Sequence, residues 1–409
     1  MRVSDAAERL YPSAMRTAVR PLLLSVFAAF VAPLAGEDAP SKFEPWSNGT
    51  LDIHQISTGR GNAAFIVFPD GTTLLFDAGD AGDGIPLATA MPDASRGAGE
   101  WVARYIRRTA GDGAVLDYAV VTHFHPDHVS GLGEVAGVVP IRKLIDRGFP
   151  DYGEPAAPKG PVFDGYRRFA EEAARNGTVR ERARVGRADE IVPVRAGGEV
   201  SGFEVRVVAA NGEVWTGKGD VTARRFPPLA GVPEKDRPSE NPCSVALRIR
   251  YGGFSLYTGG DLYGLPEPGA PAWWDLETPI AKAIGKTDVM VVNHHGSIEP
   301  ASPFFLSTLA PRVLIVPAWA PTHPSPDVLK RLLSKRIWPA PRDIFVTRLR
   351  DATKAAIGPR AAQVASDAGH IVVRVAPGGA SYRVFVLDDE NESGAVKSVH
   401  GPYASFGAR

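Results

Sequence analysis

The densest group of chemically active side chains in this 409-residue sequence lies between positions 123 and 128. His123, His125, Asp127 and His128 stand close together here, although the whole chain has only 9 histidines. Neutral imidazole and carboxylate bind zinc and also accept manganese or iron. A turn that carries these side chains can direct the first two histidines to one metal ion, and Asp127 and His128 to a second. The spacing therefore predicts a metal site.

The composition limits the residue types that could supply further metal ligands. Cys243 is the only cysteine, so disulfides within the chain and thiolate-rich metal sites are excluded. We expect Cys243 to be a small buried hydrophobe. Lys plus Arg and Asp plus Glu both number 46, so no overall field attracts nucleic acid or a membrane surface. Further metal ligands must come from His, Asp, Glu or Asn.

The histidine-rich segment directly follows a predicted buried strand. Tyr118–Val121 is a continuous apolar run, which is typical of a strand covered on both faces. A helix is predicted over residues 100–109, and another begins after the N-cap Ser325 and runs through Ile337. Further strands are predicted as hairpins over residues 63–77, 245–257 and 370–386, and singly over 288–292 and 312–316. This order favours two sheets covered by helices.

The N-terminal residues have the pattern of an export signal. Arg16 and Arg20 precede an apolar run over residues 22–32, and the small residues Ala35-Gly36 follow. The run is shorter than the roughly 20 residues that span a bilayer, although a short membrane anchor is the alternative. We predict a signal peptide over residues 1–36, with Met15 as a second candidate start, and an exported protein that is periplasmic or secreted. A linker over 37–46, one domain over 47–390 and a flexible tail over 391–409 complete the predicted organisation.

Two sets of segments resemble a known family. Thr122-His123-Phe124-His125-Pro126-Asp127-His128, followed by Gly131-Leu132, resembles the signature of the metallo-β-lactamase superfamily. The segments 52–63, 76–79, 241–245, 251–254, 258–261, 293–297 and 323–324 are similar to its ComEC-type branch, named for a competence protein. The resemblance extends over about residues 47–388. It implies an α/β fold, the αββα sandwich, in which two mixed β-sheets are flanked by helices and two metals lie at one edge of the sheets.

The resemblance also implies a role for each site residue. His123 and His125 would bind the first metal, Asp127 and His128 the second, and Asp261 would bridge both. His295 is favoured as the last ligand and His294 as a substrate contact or proton donor, but the two roles remain open. Asp127, His294 and His323 are the expected catalytic residues, and Asp77, Asn241 and Ser244 the expected supporting or substrate-contacting residues.

Three features depart from the family pattern. No histidine lies between His128 and His294, whereas β-lactamases, lactonases and glyoxalase-type members use one there on the first metal. Asn241, a water or a substrate oxygen would fill that position. Asn62 stands where the branch usually has Asp, and Gly260 is an additional glycine before Asp261. These departures put the fine geometry of the site in question.

A pair of metals about 3.5–4 Å apart can activate a shared water and clamp phosphate oxygens. The sequence therefore predicts an exported dinuclear hydrolase, a phosphodiesterase or nuclease that uses a metal-bridging hydroxide. The cofactors would be two divalent ions, with zinc favoured over manganese. The alternatives are hydrolysis of another ester or amide, as in lactonases, and a non-catalytic metal-binding module of the same fold.

One basic stretch bears on the substrate, which would be a small-molecule or nucleic-acid phosphodiester. Seven arginines lie between Tyr166 and Arg187, at positions 167, 168, 175, 180, 182, 184 and 187. They form either a solvated helix surface with i,i+4 ion pairs or a groove for a phosphate backbone. The sequence implies no integral membrane partner and leaves the oligomeric state open.

Overall fold

The computed structural model describes residues 41–195, 199–266 and 268–408. The predicted signal peptide and the first residues of the predicted linker lie outside these ranges. Within them, no helix combines the length and the apolar character that crossing a membrane requires.

Seventeen strands and eight α-helices make up the described fold. The strands are β1 Leu51–Gln55, β2 Ala63–Val67, β3 Thr73–Ala78, β4 Leu116–Val120, β5 Ile141–Asp146, β6 Val179–Arg182, β7 Phe203–Ala210, β8 Glu213–Trp215, β9 Thr222–Arg224, β10 Ala246–Tyr251, β11 Phe254–Gly259, β12 Val289–Val291, β13 Val313–Val316, β14 Asp343–Val346, β15 His370–Val375, β16 Ser381–Leu387 and β17 Val396–Ala404. The helices are α1 Ala98–Ala110, α2 Pro126–Val129, α3 Leu132–Val138, α4 Pro161–Arg175, α5 Glu277–Ile284, α6 Pro303–Leu309, α7 Pro326–Leu333 and α8 Asp351–Ile357.

The strands form two mixed sheets. The first has the order β17-β16-β15-β1-β2-β3-β4-β5-β6, and the second β14-β13-β12-β11-β10-β7-β8-β9. Neighbours from β3 to β6 and from β11 to β14 are parallel, and the other pairs are antiparallel. Each sheet therefore has one parallel half, whose strands all end at the same edge.

Three apolar clusters separate the layers of the structure. The first joins side chains of both sheets, such as Phe76 and Leu247, and forms the core between them. The second packs α5, α6, α7 and α8 on the outer face of the second sheet, and the third packs α1, α3 and α4 on the outer face of the first. Helices therefore cover both outer faces, and the predicted αββα sandwich is confirmed.

Most of the elements predicted from the sequence are present. The hairpins correspond to β2–β3, β10–β11 and β15–β16, and the single strands to β4, β12 and β13. Helix α7 has the predicted N-cap, because the Ser325 hydroxyl accepts a hydrogen bond from the Val328 amide at 3.2 Å. It ends at Leu333 rather than Ile337, since Ser334 takes an extended backbone conformation.

The prediction of a flexible tail over residues 391–409 is wrong. Val396–Ala404 is β17, which pairs antiparallel with β16 and closes one edge of the first sheet. The Tyr403 hydroxyl donates to the Asp343 carboxylate at 2.6 Å, and the Phe406 amide donates to Asp288 at 2.8 Å. These long-range hydrogen bonds, rather than the modest apolar content of the segment, hold it in place.

A buried ion pair ties the two sheets together next to the histidine-rich turn. Arg147, at the end of β5, is fully buried and donates to both carboxylate oxygens of Glu240, at 2.7 and 2.6 Å. Glu240 Oε1 also accepts a hydrogen bond from the Phe124 amide at 3.0 Å, and the arginine donates to Asn211 at 2.9 Å. The pair therefore fixes the position of the turn relative to the segment that leads into β10.

We predict that Arg147→Ala lowers the free energy of unfolding by about 3–5 kcal/mol, because it leaves the Glu240 carboxylate buried without a partner. Urea denaturation of the purified protein measures this loss. The control is Arg167→Ala, which breaks the exposed pair with Glu171 at 3.7 Å and should cost about 0–1 kcal/mol. Equal losses in the two variants would contradict the role assigned to the buried pair.

Candidate metal centre

The site lies where the parallel strands of both sheets end. Residues 123–128 follow β4 of the first sheet, and α2 begins at Pro126 with His125 as its N-terminal neighbour. Asp261 follows β11 of the second sheet, and His295 lies in the turn Asn293–Gly296 after β12. In α/β proteins, substrates and cofactors commonly bind at the edge where parallel strands end. Here that edge combines loops from both sheets.

Two glycines allow these loops to approach one another. A Cβ on Gly79 would lie 1.7 Å from the backbone oxygen of Asp127. A Cβ on Gly260 would lie 2.7 Å from both the Ser244 and the Thr122 hydroxyl oxygens. Gly260, which departs from the family pattern in the sequence, therefore leaves room where Thr122 of the first sheet meets the second.

One group of potential ligands contains His123, His125 and Asp261. His123 Nε2 lies 3.1 Å from His125 Nδ1 and 3.7 Å from Asp261 Oδ2. His123 is fully buried, and this burial lowers the pKa of its imidazole well below the usual value, which the nearby His128 reinforces. The group therefore offers two imidazole nitrogens and one carboxylate oxygen.

The second group contains Asp127, His128, Asp261 and His295. His295 Nε2 lies 3.1 Å from both His128 Nε2 and Asp127 Oδ2. His128 Nε2 lies 3.6 Å from the same Asp127 oxygen. All four side chains predicted for the second metal therefore converge.

Asp261 belongs to both groups and offers one oxygen to each. Its Oδ1 lies 3.2 Å from His128 Nε2 and 3.5 Å from His295 Nε2, whereas Oδ2 faces His123. This is the arrangement expected of a carboxylate that bridges two cations. The position of Asp261 therefore agrees with the bridging role that the sequence resemblance implied.

The Nδ1 atoms of His128 and His295, which point away from the second group, make hydrogen bonds that determine which ion the group can hold. His128 Nδ1 lies 2.8 Å from the Asp77 carboxylate, and His295 Nδ1 lies 3.1 Å from the Pro317 carbonyl oxygen. Both partners only accept hydrogen bonds, so both Nδ1 atoms carry the hydrogen and the two Nε2 lone pairs face one another. These lone pairs meet two carboxylate oxygens, and only a cation between them satisfies all four.

Protonation of His128 would reduce part of the repulsion among these four atoms. Burial would lower the pKa of His128, but the carboxylates of Asp261 and Asp127 outweigh it and raise that pKa well above the usual value. Burial would likewise raise the pKa of Asp261, but His128 and His295 hold it well below its usual range. A proton bridges only two atoms, whereas a divalent cation contacts all four. The donor set therefore fits a divalent metal.

Asp77 orients the histidine-rich turn from behind. Its carboxylate accepts hydrogen bonds from the Thr122 amide at 2.8 Å, the Thr122 hydroxyl at 3.0 Å and His128 Nδ1 at 2.8 Å. Asn62 Nδ2 donates a fourth hydrogen bond at 3.0 Å. An aspartate at position 62 could not donate this bond, so the Asn62 departure has a physical reason in this structure.

Ser244 and Asn241 lie beside the groups rather than in them. The Ser244 hydroxyl accepts from the Asp261 amide at 3.0 Å and lies 3.3 Å from His123 Nδ1. Asn241 Nδ2 donates to the Tyr263 hydroxyl at 3.0 Å and lies 3.3 Å from His294 Nε2. Within the described ranges, the first group has three members, as the missing histidine in the sequence led us to expect.

The two adjacent histidines take different places. His294 and His295 both have left-handed backbone conformations, with φ of 45° and 52°. His295 enters the second group, whereas His294 stays outside both groups with Nε2 at 3.7 Å from Asp261 Oδ2. The geometry therefore places His295 among the potential ligands and leaves His294 beside them.

His323 also lies against the centre. Its ring stacks on that of His295, with centroids 5.0 Å apart and planes at 21°. Burial, with the nearby imidazoles of His295 and His294, lowers the pKa of His323 to about 3, so the ring is neutral at physiological pH. A neutral imidazole can accept or donate a hydrogen bond to a substrate. It is poorly suited to act as an acid.

Sequence reasoning missed several residues that support the site. The Arg147–Glu240 pair holds the histidine-rich turn, and Tyr263 and Glu299 contact His294. Their residue types are common and their partners are distant along the chain. Thr122, which donates to Asp77, was in the histidine signature but was given no role there.

Three of the seven arginines in the basic stretch form ion pairs. Arg167 pairs with Glu171, Arg184 with Glu190, and Arg187 with Asp189 and Asp220. Arg180 packs on the Phe149 ring and donates to the Tyr152 hydroxyl. The pairing therefore does not decide between a solvated surface and a groove for a phosphate backbone.

We predict that Asp77→Asn weakens divalent-metal binding by about 10-fold to 100-fold, because the amide keeps one acceptor oxygen for the four donors that meet Asp77, His128 among them. Competition with a chromophoric chelator measures the affinity. Asp70→Asn is the matched control, since Asp70 is also buried and accepts hydrogen bonds from Thr72 and Arg195 away from the site. Equal metal affinities in the Asp77 variant and the original protein would contradict this role.

Comparison with known proteins agrees with the geometry. Residues 57–217 match the family model of the Metallo-beta-lactamase superfamily. The matched range contains the histidine-rich turn and ends before Asp261. No protein with a curated description matches the sequence significantly.

Solved structures give distant similarities. A mutant of the CmlA β-hydroxylase is 14% identical over 75% of this chain, with a TM-score of 0.41, and the match spans about half of its own length, 54%. A diphosphatase from the PhnP family is 11% identical over 65% of this chain and 85% of its own, with a TM-score of 0.32. Human tRNase Z, short form, is 12% identical over 64% of this chain and 91% of its own, with a TM-score of 0.33.

Residues 57–217, which include the histidine-rich turn, are similar to the metallo-β-lactamase superfamily. The two helix-covered sheets and the histidine–aspartate cluster agree with that similarity.

Proposed function

We propose that this protein is an exported, dinuclear metal-dependent phosphodiesterase of the ComEC-type branch. The observation that carries the proposal is the division of the Asp261 carboxylate between two groups of ligands, one oxygen to each. Paired metal sites that share a ligand are typical of enzymes that cleave phosphate esters.

The residues of the two groups would hold the ions. His123 and His125 would bind one, Asp127, His128 and His295 the other, and Asp261 both. Zinc suits this combination of imidazole and carboxylate, and manganese is the alternative. When bound, the ions would supply an activated water and stabilise charge on the phosphate oxygens.

Side chains around the two groups would bind and orient the substrate. His294 presents Nε2 toward Asp261, so it can exchange a proton with the leaving oxygen of a phosphodiester. Burial lowers the pKa of His294, but Asp261 and Glu299 outweigh this effect and raise it above the usual value, which favours the proton-carrying form. His323, whose burial keeps the ring neutral, stacks on His295 and would line the substrate site.

One feature favours a phosphodiester over a lactam. Among the residues that the structure describes, the first group has three protein ligands, and a phosphate oxygen can take the open position. Export is proposed on the pattern of residues 16–36 alone.

We predict that the protein hydrolyses bis(p-nitrophenyl) phosphate only when a divalent metal is bound. His123→Ala and Asp261→Ala should each lower kcat/KM by more than about 100-fold, because each removes a metal ligand rather than a residue that only orients a ligand. Initial rates are measured after chelation and reloading with Zn²⁺ or Mn²⁺ separately. His400→Ala is the control, since His400 lies on β17 away from the site and should leave the rate unchanged.

The same panel includes a lactam, a lactone and single-stranded DNA. Undiminished phosphodiester activity in the His123 and Asp261 variants would contradict the proposal. Hydrolysis confined to the lactone or lactam would replace it with the ester or amide alternative. Metal binding without any hydrolysis would favour a binding module.

A further inference from the structure

Glu299 contacts the His294 imidazole on the side opposite to the ligand groups. Glu299 Oε2 is 3.1 Å from His294 Nδ1, and the two side chains are 12% and 17% exposed. The contact is made on the side of the ring that faces away from the ligand groups. The arrangement is that of a histidine whose outer nitrogen meets a carboxylate and whose inner nitrogen faces the reacting centre.

The inner nitrogen of His294 has a defined environment. Its Nε2 lies 3.3 Å from Asn241 Nδ2, which can only donate a hydrogen bond, and 3.7 Å from Asp261 Oδ2. The Tyr263 ring packs beside the imidazole, with centroids 5.7 Å apart and planes at 30°. Asn241 donates toward a lone pair on Nε2, and the negative charge of Glu299 attracts a hydrogen on Nδ1, so both neighbours favour the same tautomer of the neutral ring.

The backbone of Glu299 is also fixed relative to the ligand groups. Its carbonyl oxygen accepts hydrogen bonds from the Gly264 amide at 3.2 Å and the Leu265 amide at 2.8 Å. These residues follow Asp261 in the same loop, and the His294 amide donates to the Gly260 oxygen at 3.0 Å. The backbone of Glu299 is thus held at a set place relative to both Asp261 and His294.

We propose that Glu299 is a positioning residue that fixes the ring of His294, with Nε2 directed toward the substrate. A carboxylate accepts hydrogen bonds at every lone pair, so it selects one tautomer and one ring orientation. The consequence for catalysis rests on the proposed phosphodiesterase activity. When water attacks phosphorus and the bond to the leaving oxygen breaks, the Nε2 lone pair takes up a proton from the water and passes it to that oxygen.

The first test is spectroscopic and does not need a substrate. Proton–nitrogen correlation spectra of the metal-loaded protein with labelled histidines, recorded where the ring is neutral, report which nitrogen of His294 carries the hydrogen, with His294→Ala providing the assignment. We expect the Nδ1–H form in the original protein and a mixture of both forms in Glu299→Ala. An unchanged tautomer in Glu299→Ala would overturn the proposal even if the protein hydrolyses no phosphodiester.

The second test separates positioning from a general structural role. Two phosphodiesters that differ only in their leaving group are compared, one releasing p-nitrophenol and the other a simple alcohol. Glu299→Ala should lower kcat for the alcohol substrate by about 10-fold to 100-fold, because an alcohol needs the proton to leave. The p-nitrophenyl rate, KM and the metal affinity should change by less than about 3-fold.

Two more variants complete this experiment. Glu299→Gln keeps an acceptor oxygen and should recover part of the lost rate on the alcohol substrate. Glu234→Ala removes an exposed glutamate in the turn Glu234–Asp236 and should change nothing. Equal losses on both leaving groups, together with a lower Tm or metal affinity, would show that Glu299 is only structural.

Discussion

Four acceptor atoms are forced together at the edge of this protein, and most of the site follows from that constraint. His128 and His295 commit their Nδ1 hydrogens to Asp77 and to the Pro317 carbonyl oxygen, so their remaining lone pairs face each other at 3.1 Å. Oxygens of Asp127 and Asp261 lie beside them. Such a cluster is costly to bury unless a cation occupies it. The metal-binding inference rests on this repulsion more than on the count of histidines.

The constraint also explains why the two sheets must pack as they do. The histidine-rich turn comes from the first sheet, whereas Asp261 and His295 come from the second, so neither sheet alone has a complete second group. A Cβ at position 260, which follows β11 of the second sheet, would crowd the hydroxyl of Thr122, which follows β4 of the first. Because the ligands converge only in the folded chain, metal binding and folding stabilise each other.

A segment of six residues was enough to predict the position of the metal centre. The turn from His123 to His128 identified the centre without any knowledge of the fold, since its ligands are neighbours in the chain. Asp261 and His295 became visible only through resemblance to a family, because nothing local connects them to the turn. The layers of the sandwich followed from apolar strands and amphipathic helices, whose periodicity is a local property.

Other features could not be read from the sequence, because tertiary contacts produce them. Strand β17 has a Gly-Pro pair and a lysine, which favour a loose end, yet its pairing with β16 overrides these preferences. Glu299 and the Arg147–Glu240 pair are ordinary charged residues until the fold brings His294 and Phe124 beside them.

Anomalous X-ray diffraction at the zinc absorption edge, on crystals of the zinc-loaded protein, tests the central inference most directly. Two anomalous peaks are expected, one in contact with His123, His125 and Asp261, and the other with Asp127, His128, Asp261 and His295. A single peak in contact with His294, or no peak between the side chains of the second group, would contradict the assignment.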